Sequence, residues 1–179
     1  SRGLGDVYKR QLLHQSSAYI DQRSIDKKVY PKQIAFNSIP FVDCFLENNY
    51  TREEMKMVWE THKILDENIS VNPTAVRVPV LVGHAESIYI ETEKEIDIEL
   101  AKNCLNEFAG ISVIDDVEEV DFPTSFEHGH GTDDVYVGRI RKGLSKNNSL
   151  NLWVVADNVR KGAALNSIQI AENLVGSEM

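Results

Sequence analysis

The 179-residue sequence predicts an α+β fold. Short apolar runs bounded by Gly and Pro read as strands, amphipathic stretches opened by capping residues read as helices, and no repeat or low-complexity linker interrupts them. Residues 12–33 are polar and read as irregular, with helical remnants, and an apolar segment follows at 34–45. Thr51-Arg52-Glu53-Glu54 matches a capping box, and Met55, Val58, Trp59 and Leu65 recur at near-helical spacing, which predicts a helix over 52–66. Strands are expected at 74–82 and 86–93, joined tightly around Gly83-His84-Ala85. A helix over 97–108, with the stripe Leu100, Ala101, Cys104, Leu105 and Phe108, stops before Gly110. Strands at 111–115, 135–141 and 150–155 follow, the first separated from the second by an acidic loop leading to Pro123. A last helix over 158–175 presents Ala164, Leu165, Ile168, Ala171 and Val175 on one side.

With 42% hydrophobic residues the chain is long enough for one substantial core. A formal net charge of -9 argues against general affinity for nucleic acid or an anionic membrane, yet leaves room for a local cationic pocket. No apolar run approaches the roughly 20 residues of a membrane span, and no signal peptide is visible, so a cytoplasmic location is expected. Two cysteines do not make a disulfide framework.

The run from Thr74 to His84 reads as a buried apolar ribbon that carries one guanidinium, Arg77, and ends on one imidazole, His84. Arginine holds a carboxylate in a planar two-pronged grip, and histidine exchanges protons near neutral pH. An odd separation of seven puts the two on opposite faces of a regular strand, so a shared site requires a bend, with Pro79 and Gly83 as its places. The plainer reading is an Arg at a sheet edge and a His at a turn. Glu53 and Lys56, three apart, are neighbours on the helix surface. They form either a solvated ion pair or the two ends of a contact to a zwitterionic ligand, with Glu53 on an amino group and Lys56 on a phosphate.

Ala35-Phe36-Asn37-Ser38-Ile39-Pro40, Glu53-Glu54-Met55-Lys56-Met57, Glu60-Thr61-His62-Lys63-Ile64-Leu65, Arg77-Val78-Pro79-Val80, His84-Ala85-Glu86-Ser87 and Val137-Gly138-Arg139-Ile140-Arg141 occur in order. They are followed by Asn151-Leu152-Trp153-Val154-Val155-Ala156-Asp157-Asn158-Val159-Arg160-Lys161-Gly162-Ala163-Ala164. From about residue 12 almost to the end, the chain resembles the carboxyl-terminal half of the bacterial aspartate-semialdehyde dehydrogenase family. That resemblance implies a mixed, largely antiparallel sheet with helices on one face, as in the corresponding half of glyceraldehyde-3-phosphate dehydrogenase. It implies an NADP-dependent reductive dephosphorylation of aspartyl 4-phosphate to aspartate 4-semialdehyde, through a cysteine thioester, on the way to lysine, diaminopimelate, threonine and methionine. His84 falls on the family's acid/base histidine and Arg77 on its substrate-carboxylate arginine. Glu53 falls near the substrate amino group, Lys56 at the phosphate site, and Asn158 on a polar residue touching the nicotinamide cofactor. The partners implied are this small acidic metabolite, phosphate and a second copy of the chain, with neither nucleic acid nor membrane.

The family's Asn-Cys nucleophile segment, its substrate-binding Gln and a Gly-x-Gly-x-x-Gly turn are not present in the sequence. Cys44 and Cys104 read instead as small buried hydrophobes. The expectation is therefore a truncated gene product, inactive by itself. Residues 1–11 do not match the family; Asp6-Val7-Tyr8-Lys9-Arg10-Gln11 looks like a translated adapter end, with a genuine short helix as the alternative. The expected organisation is thus a non-native segment at 1–11 and a catalytic and dimerisation domain at 12–156. Residues 157–179 form a terminal helix that would pack on a dinucleotide-binding domain. His128-Gly129-His130 with Asp133-Asp134 offers metal-ligand chemistry, but no third His or Cys follows at a standard spacing, and no metal is expected. The arginines Arg139 and Arg141 read as ion-pair partners or as neighbours of a subunit interface. The rivals are a noncatalytic dimerisation module and an N-acetylglutamyl-phosphate reductase, whose acylated substrate nitrogen has less use for Glu53.

Overall fold

The computed structural model describes residues 2–176, with side chains over 7–176. The chain forms two compact units, Ser1–Leu81 and Val82–Met179.

The first unit is built on two helices, α1 (Arg2–Ile20) and α2 (Arg52–Ile64). Its apolar centre is Leu12, Ile34, Ala35 and Ile39, with Tyr30, Phe41 and Leu81 packed around it. Two buried glutamines of α1 organise the chain that follows. The Gln15 side chain donates to the Asp26 carbonyl at 2.7 Å and accepts from the Ile34 and Ala35 amides at 2.9 and 3.2 Å. Gln11 donates to the same carbonyl at 3.1 Å and accepts from Val29 N–H at 2.7 Å. Such bonds do for an irregular segment what a ladder does for a strand: they pair backbone groups that burial would otherwise strand.

Two expectations change here. Residues 12–20 are helical, not irregular, because Leu12, Gln15 and Ala18 recur on one buried face. The helix also runs unbroken across residues 11 and 12, so that position is not a structural boundary. The second change concerns residues 74–82, which form no strand: a single bridge pairs Arg77 with Ile39. Pro73 and Pro79 lack the N–H that a ladder needs. Nor is the ribbon buried, since Val76, Val78 and Val80 are 44, 45 and 50% exposed. The alternation survives without the ladder, with Ala75 buried and Arg77 half-buried between exposed neighbours.

The second unit is a four-stranded sheet in the order β1-β4-β3-β2, with β1 His84–Glu91, β2 Ile111–Val113, β3 Val135–Lys142 and β4 Ser149–Ala156. β1 and β3 flank β4 antiparallel, and β2 joins β3 in parallel. The sheet is mixed and largely antiparallel, as the family resemblance implies. Helix α3 (Ile98–Glu107), capped by Asp97, lays Ile98, Ala101 and Leu105 against Val137, Ile140, Leu150 and Leu152. Its outward side carries Cys104, which is exposed rather than buried as expected from the stripe. β3 is interrupted by a register shift after Gly138, where Arg139 takes φ +55°. Gly138 is obligatory there, since a Cβ would run into the Ile114 carbonyl and the Pro123 ring. The terminal segment turns through a π-type turn at Arg160–Ala164 before α4 (Leu165–Gly176), whose Ile168 and Val175 are exposed.

Candidate active site

Three of the expected site residues lie in the first unit. The capping box predicted at Thr51 is present in both directions: Glu54 N–H donates to the Thr51 hydroxyl at 3.3 Å, and Thr51 N–H donates to Glu54 Oε2 at 2.7 Å. It starts α2 so that Glu53 and Lys56 share the first exposed turn, their charges 3.1 Å apart. The hydrogen bond that the Lys56 ammonium donates to Glu53 holds it above its ordinary pKa, so it stays a cation throughout the neutral range. Both side chains are about half exposed, at 48 and 42%, so the pair adds little stability. It does leave an anion and a cation side by side, free to separate toward a ligand carrying both signs.

Arg77 is held from two directions. Its backbone exchanges two hydrogen bonds with Ile39, at 2.8 and 2.9 Å. Its guanidinium carbon lies 5.0 Å from the centre of the Tyr8 ring and 5.7 Å from that of Tyr30. Burial pushes the Tyr30 phenol up in pKa, against the opposing pull of the guanidinium. An aromatic ring attracts the charge of a guanidinium through its π face and offers no carboxylate-like acceptor to the fork of N–H groups that binds a carboxylate. Among the described residues no carboxylate lies within ion-pair range of Arg77, in a chain of formal charge -9.

His84 and Asn158 belong to the second unit. His84 opens β1 opposite Ala156 at the end of β4, and its ring is exposed. Its carbonyl accepts from the Ser125 hydroxyl at 3.4 Å. Gly83 leads into it at φ +75°, where a Cβ would press on Ser125 at 3.0 Å. Asn158 sits two residues past Ala156, so imidazole and amide share one end of the sheet. Between them in sequence, Asp157 is 6% exposed and ties the turn together. It accepts from Gly131 N–H at 2.8 Å, Val159 N–H at 2.8 Å and Arg160 N–H at 3.0 Å. Burial pushes its pKa up, but these amides outweigh burial and the net shift is downward.

The histidines of His128-Gly129-His130 are engaged separately. His128 Nδ1 accepts from Thr124 N–H at 3.0 Å, and His130 faces Asp157 at 3.7 Å. Among the described residues no group of three or more His, Cys, Asp or Glu is placed to hold a metal ion. Cys44 is half-buried and Cys104 exposed, both as free thiols.

Sequence reasoning missed the second duty of Glu54, whose Oε1 accepts from Ala75 N–H at 2.9 Å, 21 residues away. The capping box exposes the first duty only. It also set aside Tyr8, one of the two rings on Arg77, together with residues 1–11.

Residues 3–161 match the family described as semialdehyde dehydrogenase, dimerisation domain. The aspartate-semialdehyde dehydrogenase of Shewanella violacea is 53% identical over 97% of this chain and 51% of its own length. A solved structure of aspartate semialdehyde dehydrogenase II from Vibrio cholerae, complexed with ASA, superposes with a TM-score of 0.90 at 47% identity, over 96% of this chain and 50% of that one. The enzyme of Candida albicans, solved with NADP, gives 0.64 at 26% identity over 79% and 45%. The chain spans about half the length of the curated relatives it matches. It belongs to the semialdehyde dehydrogenase family, through that family's dimerisation domain.

Proposed function

We propose that this chain carries the substrate-holding and proton-transferring part of an aspartate-semialdehyde dehydrogenase. The observation that supports it most is Arg77, a guanidinium over two tyrosine rings and without a carboxylate partner among the described residues. In this reading Arg77 grips the α-carboxylate edge-on, Glu53 meets the α-ammonium, and Lys56 meets the phosphate. The three charges complement those of aspartyl 4-phosphate one for one. The curated relatives' names favour this substrate over an acylated one, and an acylated nitrogen would leave Glu53 without a cation to meet.

His84 is the proton carrier. Its neutral ring takes the proton of a thiol supplied from outside the described residues, as that sulfur attacks the acyl carbon and phosphate departs. The resulting imidazolium gives the proton to the alkoxide that forms on reduction and recovers it when the C–S bond breaks to release the aldehyde. Neither Cys44 in the first unit nor Cys104 on the outside of α3 serves as that thiol in this reading. NADPH, when bound, supplies the hydride. The Asn158 amide, at the same sheet end as His84, is suited to hydrogen-bond a carboxamide, and so to hold the nicotinamide beside the proton carrier. A second copy of the chain is the expected partner, in keeping with the matched dimerisation domain. A cytoplasmic location fits two free thiols and a phosphorylated metabolite. Among the described residues no helix is long and apolar enough to cross a membrane.

The test is a nuclear magnetic resonance titration of the chain with L-aspartate 4-semialdehyde and inorganic phosphate. The Arg77 guanidinium and Lys56 ammonium signals are expected to shift saturably, each with its own ligand. Shifts confined to other residues would contradict the assignment.

A further inference from the structure

We propose that Glu54 is a positioning residue that sets the distance between the helix turn bearing Glu53 and Lys56 and the segment bearing Arg77. The inference rests on the substrate-site reading above. Glu54, Thr51 and Ala75 are 8, 1 and 9% exposed, so the carboxylate works away from solvent. Its two oxygens are divided between two backbone donors, Oε2 on Thr51 N–H at the helix cap and Oε1 on Ala75 N–H. Ala75 precedes Arg77 by two residues and faces the same side of the extended segment. Arg77 is pinned in turn by its paired bonds to Ile39. A continuous hydrogen-bonded link therefore runs from the α2 cap to the Arg77 backbone.

Nothing in the local secondary structure duplicates that link. Residues 66–74 form no helix or strand. The other hydrogen bonds that reach this stretch from the α2 side end earlier, with Tyr50 Oη on Asn72 and His62 Nε2 at the Ile69 carbonyl. Among the described residues, Glu54 is the side chain of α2 that reaches residues 75–77. The chemistry also requires a carboxylate, since both contacts are accepted N–H bonds. A glutamine offers one acceptor oxygen, and its NH2 would confront a second donor. The adjacent Glu53 presents the same side chain outward, so neighbouring identical residues divide the work: one fixes the frame and the other faces the ligand. A shift of a fraction of an ångström between Lys56 and Arg77 would spoil simultaneous contact with phosphate and carboxylate.

The experiment compares the unmodified chain with Glu54→Gln and Thr51→Ala. Amide hydrogen exchange is read residue by residue, and the affinity for L-aspartate 4-semialdehyde with inorganic phosphate is read by titration. Thr51→Ala removes the hydroxyl acceptor of the cap but keeps the Glu54–Ala75 bond, so it reports the cost of a weaker helix start alone. Glu54→Gln is expected to speed exchange at Ala75 and Arg77 and to weaken affinity about tenfold, the scale of one charged hydrogen bond. Thr51→Ala should loosen the first turn of α2 and leave Arg77 protected. Unchanged exchange at Arg77 in Glu54→Gln overturns the proposal, as does weakened affinity with that protection intact. Loss of protection in Glu54→Gln, in a chain whose unmodified form binds nothing, upholds the link and refutes the substrate-site reading. If Glu54→Gln does not fold, the unmodified chain is acidified while the Glu54 carboxyl carbon is followed. Protection at Ala75 and Arg77 must fall together with its protonation, and survival of that protection overturns the proposal.

Discussion

The two units solve the same problem by different means. In the second, an end-to-end ladder between β1 and β4 delivers His84 beside the residues that precede Asn158. In the first, individual side chains do the work of a ladder: Gln11, Gln15 and Glu54 pair buried backbone amides and carbonyls of segments without strand or helix. A ladder distributes its load over many bonds, whereas a side-chain clamp concentrates it in one residue. Single substitutions should therefore act more sharply on the first unit than on the second. The two tryptophans report them separately, with Trp59 in the first unit and Trp153 in the second.

Gln15→Leu should have the largest effect. It leaves the Ile34 and Ala35 amides without their partner and the Asp26 carbonyl with Gln11 alone, at about 3–5 kcal/mol. Urea unfolding followed by fluorine resonance of 5-fluorotryptophan should show the Trp59 midpoint falling far more than that of Trp153. Equal shifts in both would mean that the units are not energetically distinct.

Gly138→Ala aims at the second unit. The new methyl meets the Ile114 carbonyl and Pro123, and β3 must shift to admit it. Overpacking of this kind costs about 1–3 kcal/mol. Here the Trp153 midpoint should move, because its indole N–H donates to the carbonyl of that same Pro123 at 2.9 Å.

Thr51→Ala should cost the first unit about 1 kcal/mol, the usual loss for a helix cap. Calorimetry of the purified variant checks it, and a loss above 3 kcal/mol would show that Thr51 does more than cap α2.

The mildest effect is that of acid. Amide donors from Thr51 and Ala75 hold the Glu54 carboxyl below its ordinary 4.5, and those around Asp157 hold it below 3.8 despite burial. A lowered folded pKa means that the ionised form is favoured by folding. The contribution is therefore complete above the unfolded value and is lost as pH falls through the folded one. Carboxyl-carbon resonances followed through an acid titration should show Glu54 protonating below 4.5 and Asp157 below 3.8, with stability lost over those ranges. Protonation of either at or above its ordinary value would contradict the roles given to these two carboxylates.

The sheet was more legible than the helical unit because its signals are local. The runs of β1, β3 and β4 read directly as strands, and Thr51 announces its helix. The stretch around Arg77 misled in the opposite sense: alternating Val residues suggest a strand, but the prolines at 73 and 79 remove the donors that would build one. Cys104 misled because a five-residue stripe is wider than the surface α3 buries, which is Ile98, Ala101 and Leu105. The candidate residues Glu53, Lys56, Arg77, His84 and Asn158 come from family resemblance joined to charge complementarity. The Glu54–Ala75 bond and the tyrosines on Arg77 were not, since long-range contacts leave no spacing signature.

The most direct measurement joins this chain to the amino-terminal half of the Shewanella violacea relative and follows NADP-dependent oxidation of aspartate 4-semialdehyde in the presence of phosphate. The hybrid should turn over, and His84→Asn should lower kcat by about a hundredfold or more with KM little changed, the signature of a lost proton carrier. An active hybrid whose kcat is indifferent to His84→Asn would contradict the account.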